Sequence, residues 1–153
     1  MARKEFAWLV LAPTPPGSEQ PAFSYAVVIP GVLTVPELGC RFSFKILNRD
    51  DPGKAYNQNK LIGLDPLKLR GEVFLRNWRA GDRFCPLGSR GIRKLKELFR
   101  ERKIPEVRRK GWPVLICAGQ IAWVRGFLPG KGVAATDQTQ QVLVVEEEST
   151  RPT

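Results

Sequence analysis

Short apolar runs separated by Gly and Pro turns make up most of the hydrophobic pattern of this 153-residue chain. The runs are rich in Val, Ile and Phe, which is typical of strands in small antiparallel sheets. They predict strands over residues 6–12, 25–29, 32–35, 41–47, 72–76, 114–117, 121–124 and 141–146.

One segment, residues 92–103, has the periodicity of an amphipathic helix instead. Its apolar stripe consists of Ile92, Leu95, Leu98 and Phe99. Its second stripe is basic and consists of Arg93, Lys96, Arg100 and Lys103. We therefore expect one face of the helix to pack on a core and the other to face something anionic, or to be a solvated, salt-bridged surface.

The pattern as a whole predicts an α+β, β-rich fold, with small sandwich-like sheets and one clear amphipathic helix packed on them. A shorter second helix is predicted over 105–110, where Pro105 suits a first turn. The core positions expected around the main helix are Leu95, Leu98, Phe99, Trp123 and Val124. The expected organisation is an N-terminal strand and Pro-rich connector over 1–24, a β-rich lobe over 25–70, a second domain over 71–147 and a disordered tail over 148–153.

Charge is distributed unevenly along this pattern. The chain has 25 Lys and Arg against 15 Asp and Glu, a net charge of +10. Residues 68–110 contain 15 of the basic and five of the acidic residues, so this block carries the whole excess and the remainder is neutral. A localised basic block is what a phosphate-rich partner requires, although a basic face can also be merely solvated.

The composition excludes several kinds of chemistry. There is no histidine, which removes Ser-His-Asp and Cys-His catalysis and all metal sites that need His. The three cysteines, Cys40, Cys85 and Cys117, form neither a CxxC pair nor an even disulfide set, so we expect buried thiols in a reducing compartment. The apolar run at 6–12 is too short to span a membrane. We predict no catalytic residue and no metal ligand in this chain.

Arginines alternate with aromatic residues over 76–88. Guanidinium groups grip phosphates, and rings such as Trp78 and Phe84 can stack on bases. A turn at Gly81-Asp82 would direct Arg79 and Arg83 to the same side. The alternative is that both rings belong to the core and that Asp82 simply pairs with an arginine.

Five motifs in this region occur in a familiar order. They are Arg76-Asn-Trp-Arg-x-Gly-Asp-Arg-Phe-x-Pro-Leu-Gly88, Gly91-x-Arg-Lys-Leu-Lys96, Lys103-Ile-Pro105 with Arg109, Trp112-Pro113, and Ile121-x-Trp-Val-x-Gly126. Together they resemble the C-terminal part of tRNA(Ile)-lysidine synthetases, over roughly residues 25–146. The chain departs from that pattern at Arg93, where lysine is common, and at Lys110, where an acid is common.

The resemblance implies a small β-rich sandwich with helices, shared with a domain of phenylalanyl-tRNA synthetase. It also implies a cytoplasmic, non-catalytic role: residues 71–147 would grip the body and acceptor stem of an isoleucine tRNA. ATP-dependent transfer of lysine to the anticodon cytidine, with ATP and Mg²⁺, would belong to a separate N-terminal domain or partner chain that has a pyrophosphatase loop. The alternatives are a general RNA- or DNA-binding module and a subunit of a split ligase.

The residues expected to contact tRNA combine motif membership with exposure. They are Arg76, Asn77, Arg79, Arg83, Arg90, Arg93, Lys94, Lys96, Arg100, Lys103, Arg108 and Arg109.

Overall fold

The computed structural model describes residues 22–48 and 63–150. The strand expected at 6–12, the Pro-rich segment after it and residues 151–153 of the expected tail lie outside these residues. The described elements in chain order are β1 (Ser24–Ala26), β2 (Gly31–Val35), β3 (Cys40–Asn48), a 3₁₀ turn (Pro66–Lys68), β4 (Val73–Asn77), β5 (Arg83–Phe84), β6 (Arg93–Lys94), α1 (Leu95–Glu101), α2 (Glu106–Arg109), β7 (Pro113–Cys117), β8 (Gln120–Val124) and β9 (Gln141–Ser149).

The strands form three small antiparallel sheets, which confirms the predicted β-rich α+β class. One sheet has the order β1-β4-β7-β8, the second β2-β3-β9, and the third pairs β5 with β6. Strands β7 and β8 form a hairpin closed by Ala118 and Gly119, with φ of 52° and 77°. Two consecutive positive φ angles are typical of a type I′ turn, which suits the twist of paired strands.

The pairing of β3 with β9 joins the two regions expected to be separate. All nine residues of β9 pair with β3, from Asn48 opposite Gln141 to Cys40 opposite Ser149. A single buried cluster then draws Phe42 and Phe44 from one region and Leu75 and Leu143 from the other. The expected boundary after residue 70 therefore does not divide the core.

Strand β9 also corrects the expected tail, because residues 148 and 149 are paired rather than disordered. Its acidic side chains are matched by cations on neighbouring strands. Arg41 pairs with Glu148, and Lys45 reaches Glu146 at 2.7 Å. Opposite charges across adjacent strands stabilise the pairing, so a run of glutamates can continue as a strand here.

Helix α1 is shorter than predicted at both ends. Arg93 and Lys94 are extended and pair with β5, so the helix begins at Leu95 and not at Ile92. Ile92 is 70% exposed, which contradicts its predicted place in the core. At the other end Lys103 adopts a φ of 58°, and Ile104 donates its N–H to the Phe99 carbonyl at 3.0 Å. This left-handed residue terminates the helix.

The helix packs on a second core whose centre is Phe99. The ring of Phe99 lies 5.0 Å from Trp78, 5.4 Å from Trp112 and 6.1 Å from Phe127, between ring centroids. The indole of Trp78 donates to the Arg109 carbonyl at 2.8 Å, and Phe84 is 2% exposed. Trp78 and Phe84 therefore pack in the interior, which agrees with the second of the two readings of the 76–88 stretch. The predicted burial of Leu95, Leu98, Phe99 and Val124 is confirmed, and Trp123 is half-buried against the other core.

Replacing Phe99 by Ala removes the ring that the surrounding aromatic side chains contact. We expect Phe99→Ala to lower the free energy of unfolding by about 3–5 kcal/mol, the usual cost of deleting a buried aromatic side chain. Urea denaturation followed by tryptophan fluorescence measures the loss. Lys96→Ala on the exposed face of the same helix is the control and should change the value by less than about 0.5 kcal/mol. A loss below about 1 kcal/mol for Phe99→Ala would contradict this account of the core.

Candidate nucleic-acid interface

Eight of the twelve residues expected to contact tRNA are exposed cations: Arg79, Arg83, Arg90, Lys94, Lys96, Arg100, Lys103 and Arg108. We call this set the basic surface. Over residues 22–48 and 63–150, none of these side chains forms an ion pair with a carboxylate. The basic surface is therefore a set of charges that the described fold does not neutralise.

The local structure brings like charges of this surface together. Arg83 and Lys94 lie directly opposite each other on β5 and β6, and residues opposite each other in an antiparallel pair share a face. On α1, Lys96 and Arg100 are four residues apart and occupy one face. Two like charges four residues apart on a helix destabilise the fold by about 0.2–0.5 kcal/mol. Like charges directly opposite each other on paired strands are also destabilising. A bound anion between them would remove that repulsion.

The remaining four expected residues have structural partners. Arg76 donates from its two terminal nitrogens to the carboxylate of Asp82, at 3.1 and 3.0 Å, and both side chains are at least 85% buried. Asp82 also accepts the main-chain N–H of Arg79 at 2.7 Å. In this structure the charge of Arg76 holds the turn that carries Arg79, and its expected contact with tRNA stays a prediction.

Asn77 is 5% exposed, so its side chain lies inside the fold and not at the surface, and its expected contact with tRNA stays a prediction. Its Oδ1 accepts the Phe23 N–H at 2.9 Å, and its Nδ2 donates to the Trp78 carbonyl at 3.0 Å. A buried amide with both ends bonded is held by the fold. Its place in the motif reflects the connection between β4 and the chain before β1.

Arg93 and Arg109 are half-buried and also bonded within the domain. Arg93 reaches Glu101 at 2.6 Å and so links β6 to the last residue of α1. Arg109 donates from Nε to the Ile104 carbonyl at 2.8 Å and lies 5.6 Å from the ring centre of Phe99. The spacing of these residues in the sequence cannot separate such a role from a contact with a partner.

The structure contains a groove of about 720 Å³ beside the β7–β8 hairpin, which no pattern in the sequence indicates. Its charged lining includes Lys68, Arg70 and Lys131 together with Arg83. Lys68 and Arg70 lie at the edge of the basic block, and Lys131 lies outside it, so the charge distribution along the chain gives Lys131 no weight. Only the fold brings these side chains together.

The cysteines behave as the sequence predicts at two positions. Cys40 and Cys117 are buried, and Cys85 is half-buried beside the groove. Burial raises the pKa of the Cys40 thiol to about 11, and the Glu147 carboxylate adds to the effect.

Among the residues that the structure describes, no group of three or more Cys, Asp or Glu could hold a metal ion. No helix in this part of the chain has the length and apolar character needed to cross a membrane.

The fold and the basic surface together define a β-rich α+β domain that presents unneutralised cations. Residues 73–146 match a family model described as the TilS substrate C-terminal domain. The solved structure described as the TILS C-terminal domain superposes with a TM-score of 0.66 at 26% identity, over 86% of this chain and 99% of that one. Residues 73–146 are therefore similar in sequence and fold to this C-terminal domain.

Curated relatives show the same similarity. The chain is 34% identical to the tRNA(Ile)-lysidine synthase of Solibacter usitatus, over 97% of this chain and 34% of that protein. It is 33% identical to the enzyme of the same name from Caldanaerobacter subterraneus, over 84% of this chain and 27% of that protein. The chain thus spans about a third or less of the length of these relatives.

Neutralising Asp82 tests the structural role of its ion pair with Arg76. Asp82→Asn keeps the shape of the side chain but removes the charge, so we expect a loss of about 1–3 kcal/mol in unfolding free energy. Urea denaturation measures it. Glu97→Gln, which removes an exposed carboxylate from α1, is the matched control, and an equal effect of the two changes would refute the assignment.

The Cys40 thiol makes stability depend on alkaline pH. Its folded-state pKa of about 11 lies above the usual value of 9.0. The unfolded chain therefore loses its proton first, so the thiol's contribution is complete below about pH 9 and is lost as the pH rises toward 11. We expect the urea midpoint to fall more between pH 8 and pH 10.5 in the wild type than in Cys40→Ala. Equal falls in both proteins would show that Cys40 is not responsible.

Proposed function

We propose that this chain is the tRNA-binding part of a tRNA(Ile)-lysidine synthase. The observation that carries the proposal is the basic surface, whose eight exposed cations have no carboxylate partner among the described residues and lie within the segment that matches the family. The names of the relatives indicate which RNA the surface would meet.

Recognition would proceed mainly through phosphates and the shape of the RNA. Helix α1 offers Lys96 and Arg100 on its exposed face, and its seven residues include no Asn, Gln or Ser that could read base edges. Lys and Arg on phosphates fix position and orientation without reading sequence. A folded RNA with regular, closely spaced phosphates is the partner this arrangement suits, and the body and acceptor stem of tRNA supply such a surface.

The chemistry of lysine transfer would take place outside this chain. The sequence has no histidine and no Ser-Gly-Gly-x-Asp-Ser pyrophosphatase loop. ATP and Mg²⁺ would be held by a catalytic domain, either in the same polypeptide or in a partner chain. In this proposal the present domain supplies affinity and orientation, and so places the anticodon loop at a distant active site.

Binding of a labelled isoleucine tRNA transcript by the 153-residue chain tests the proposal, with fluorescence anisotropy at several salt concentrations. Affinity should fall steeply with salt, with a slope of about 0.9 per neutralised phosphate on duplex and about 0.7 on single strand. Arg79→Gln/Arg83→Gln should bind roughly tenfold more weakly and reduce the slope by roughly 1.4–1.8. Its unfolding free energy should stay close to wild type, because neither side chain has a charged partner within the described ranges.

The matched control is Arg41→Gln/Lys45→Gln, which removes two charges from the β3 side of the other sheet. It should leave tRNA affinity within about twofold of wild type. Absence of tRNA binding at 50 mM salt would reject the proposal. Equal affinity for a random DNA duplex would favour a general nucleic-acid-binding module, and lysidine formation by the chain alone would overturn its non-catalytic role.

A further inference from the structure

The groove beside the β7–β8 hairpin is lined by an excess of positive charge. Five cations line it, Lys68, Arg70, Arg76, Arg83 and Lys131, against one carboxylate, Asp82. Because Asp82 is occupied by Arg76, four cations face the groove without a carboxylate partner among the described residues.

Hydrogen bonds outside the basic surface hold the walls in place. Cys117 donates its S–H to the Arg70 carbonyl at 3.0 Å, which ties the wall that carries Lys68 and Arg70 to the hairpin. The main-chain N–H of Lys131 donates to the Cys85 carbonyl at 2.8 Å, which ties the facing segment to the end of β5. The four cations therefore come from three separate stretches of chain that the fold fixes against one another.

The glycines of the groove leave room for a ligand. A Cβ on Gly132 or Gly119 would meet nothing within 4 Å. At Gly130, in contrast, a Cβ would lie 3.1 Å from the Ala122 carbonyl and 3.3 Å from the Phe84 ring, so this glycine lets the loop close onto the floor. The result is an open cleft with a tight base. Ile92 adds an exposed apolar side chain to the lining.

The groove is continuous with the basic surface. Arg83 lines the groove and is the cross-strand partner of Lys94, which belongs to that surface. A chain of phosphates that lies along α1 and β6 can therefore continue past Arg83 into the groove. An isolated small anion would need only one or two of these cations, whereas an extended polyanion can use all four.

We propose that this groove is a second RNA subsite, in which Lys68, Arg70 and Lys131 bind backbone phosphates of the same RNA strand that Arg83 contacts. Ile92 packs against a ribose or base at its edge. This inference takes its class of ligand, RNA, from the proposed function. It adds to that function a cleft and three cationic residues, of which Lys131 lies outside the basic block of residues 68–110.

Two variants of the full 153-residue chain test the subsite. Arg70→Gln/Lys131→Gln removes two groove charges and should weaken binding of the tRNA transcript roughly tenfold and lower the salt slope by roughly 1.4–1.8. Gly132→Leu adds bulk beside the cleft and changes no charge, so it separates entry of the RNA from long-range attraction. It should weaken binding at least about threefold while leaving the salt slope of the remaining contacts nearly intact.

The controls match each change. Arg41→Gln/Lys45→Gln removes the same number of charges from the other sheet, and Thr34→Leu adds a leucine at an exposed position of β2. Circular dichroism and urea denaturation show whether each variant folds. Slower alkylation of Cys85 in the presence of tRNA is an independent readout in the wild type, because this thiol lines the groove.

The outcomes distinguish this inference from the proposed function. If wild type fails to bind tRNA, the proposed function falls and the subsite with it. If wild type binds tRNA but both groove variants match their controls, the subsite is refuted and the function stands. Inorganic phosphate is the probe for a small-anion site: if millimolar phosphate protects Cys85 while tRNA does not, the groove serves a free anion and the RNA subsite is overturned.

Discussion

Asp82 is the residue on which the geometry of the basic surface depends. Its carboxylate binds the guanidinium of Arg76 on β4 and the main-chain N–H of Arg79, and its carbonyl accepts the N–H of Leu95, the first residue of α1. One residue thus connects the large sheet, the turn before β5 and the start of the helix. These bonds fix the turn between β4 and β5, and Arg79 and Arg83 beside it remain exposed.

Cations are paired with carboxylates on one sheet of the domain, whereas most of the described cations around α1 are not. On the sheet that contains β3 and β9, cations meet carboxylates, as in the Lys45–Glu146 pair, and Arg125 reaches from β8's end to Glu147 at 2.8 Å. Around α1, β5 and β6, Arg93 pairs with Glu101, but Arg83, Lys94, Lys96 and Arg100 have no carboxylate partner among the residues described. Both sets belong to one small domain, so the unpaired positive charge is concentrated on one part of its surface. A polyanion that approaches it would be attracted toward one side.

Local pattern predicts those parts of this structure that local interactions determine. Alternation of apolar residues located β3, β7 and β8, and the Ala118-Gly119 turn followed from the residues themselves. The start of α1 did not, because pairing of β6 with β5 is a tertiary interaction that overrides helical periodicity at Ile92. The same limit applies to the site. Motif membership could not distinguish Asn77, whose amide is buried, from Arg79, and charge counting along the chain could not find Lys131, which the contact with Cys85 brings to the groove.

The pairing of β3 with β9 has a consequence for the order in which the domain is assembled. Side-chain contacts between these strands join residues 93 to 107 positions apart, such as Asn48 with Gln141 and Arg41 with Glu148. Contacts over such separations close a large loop before they gain any stabilisation, and they slow folding for that reason. During synthesis β3 has its β9 edge unpaired until β9 has left the ribosome. The apolar residues of β3, including Phe42 and Phe44, which the folded domain buries, are therefore open to aggregation or chaperone binding in the nascent chain until β9 pairs with them.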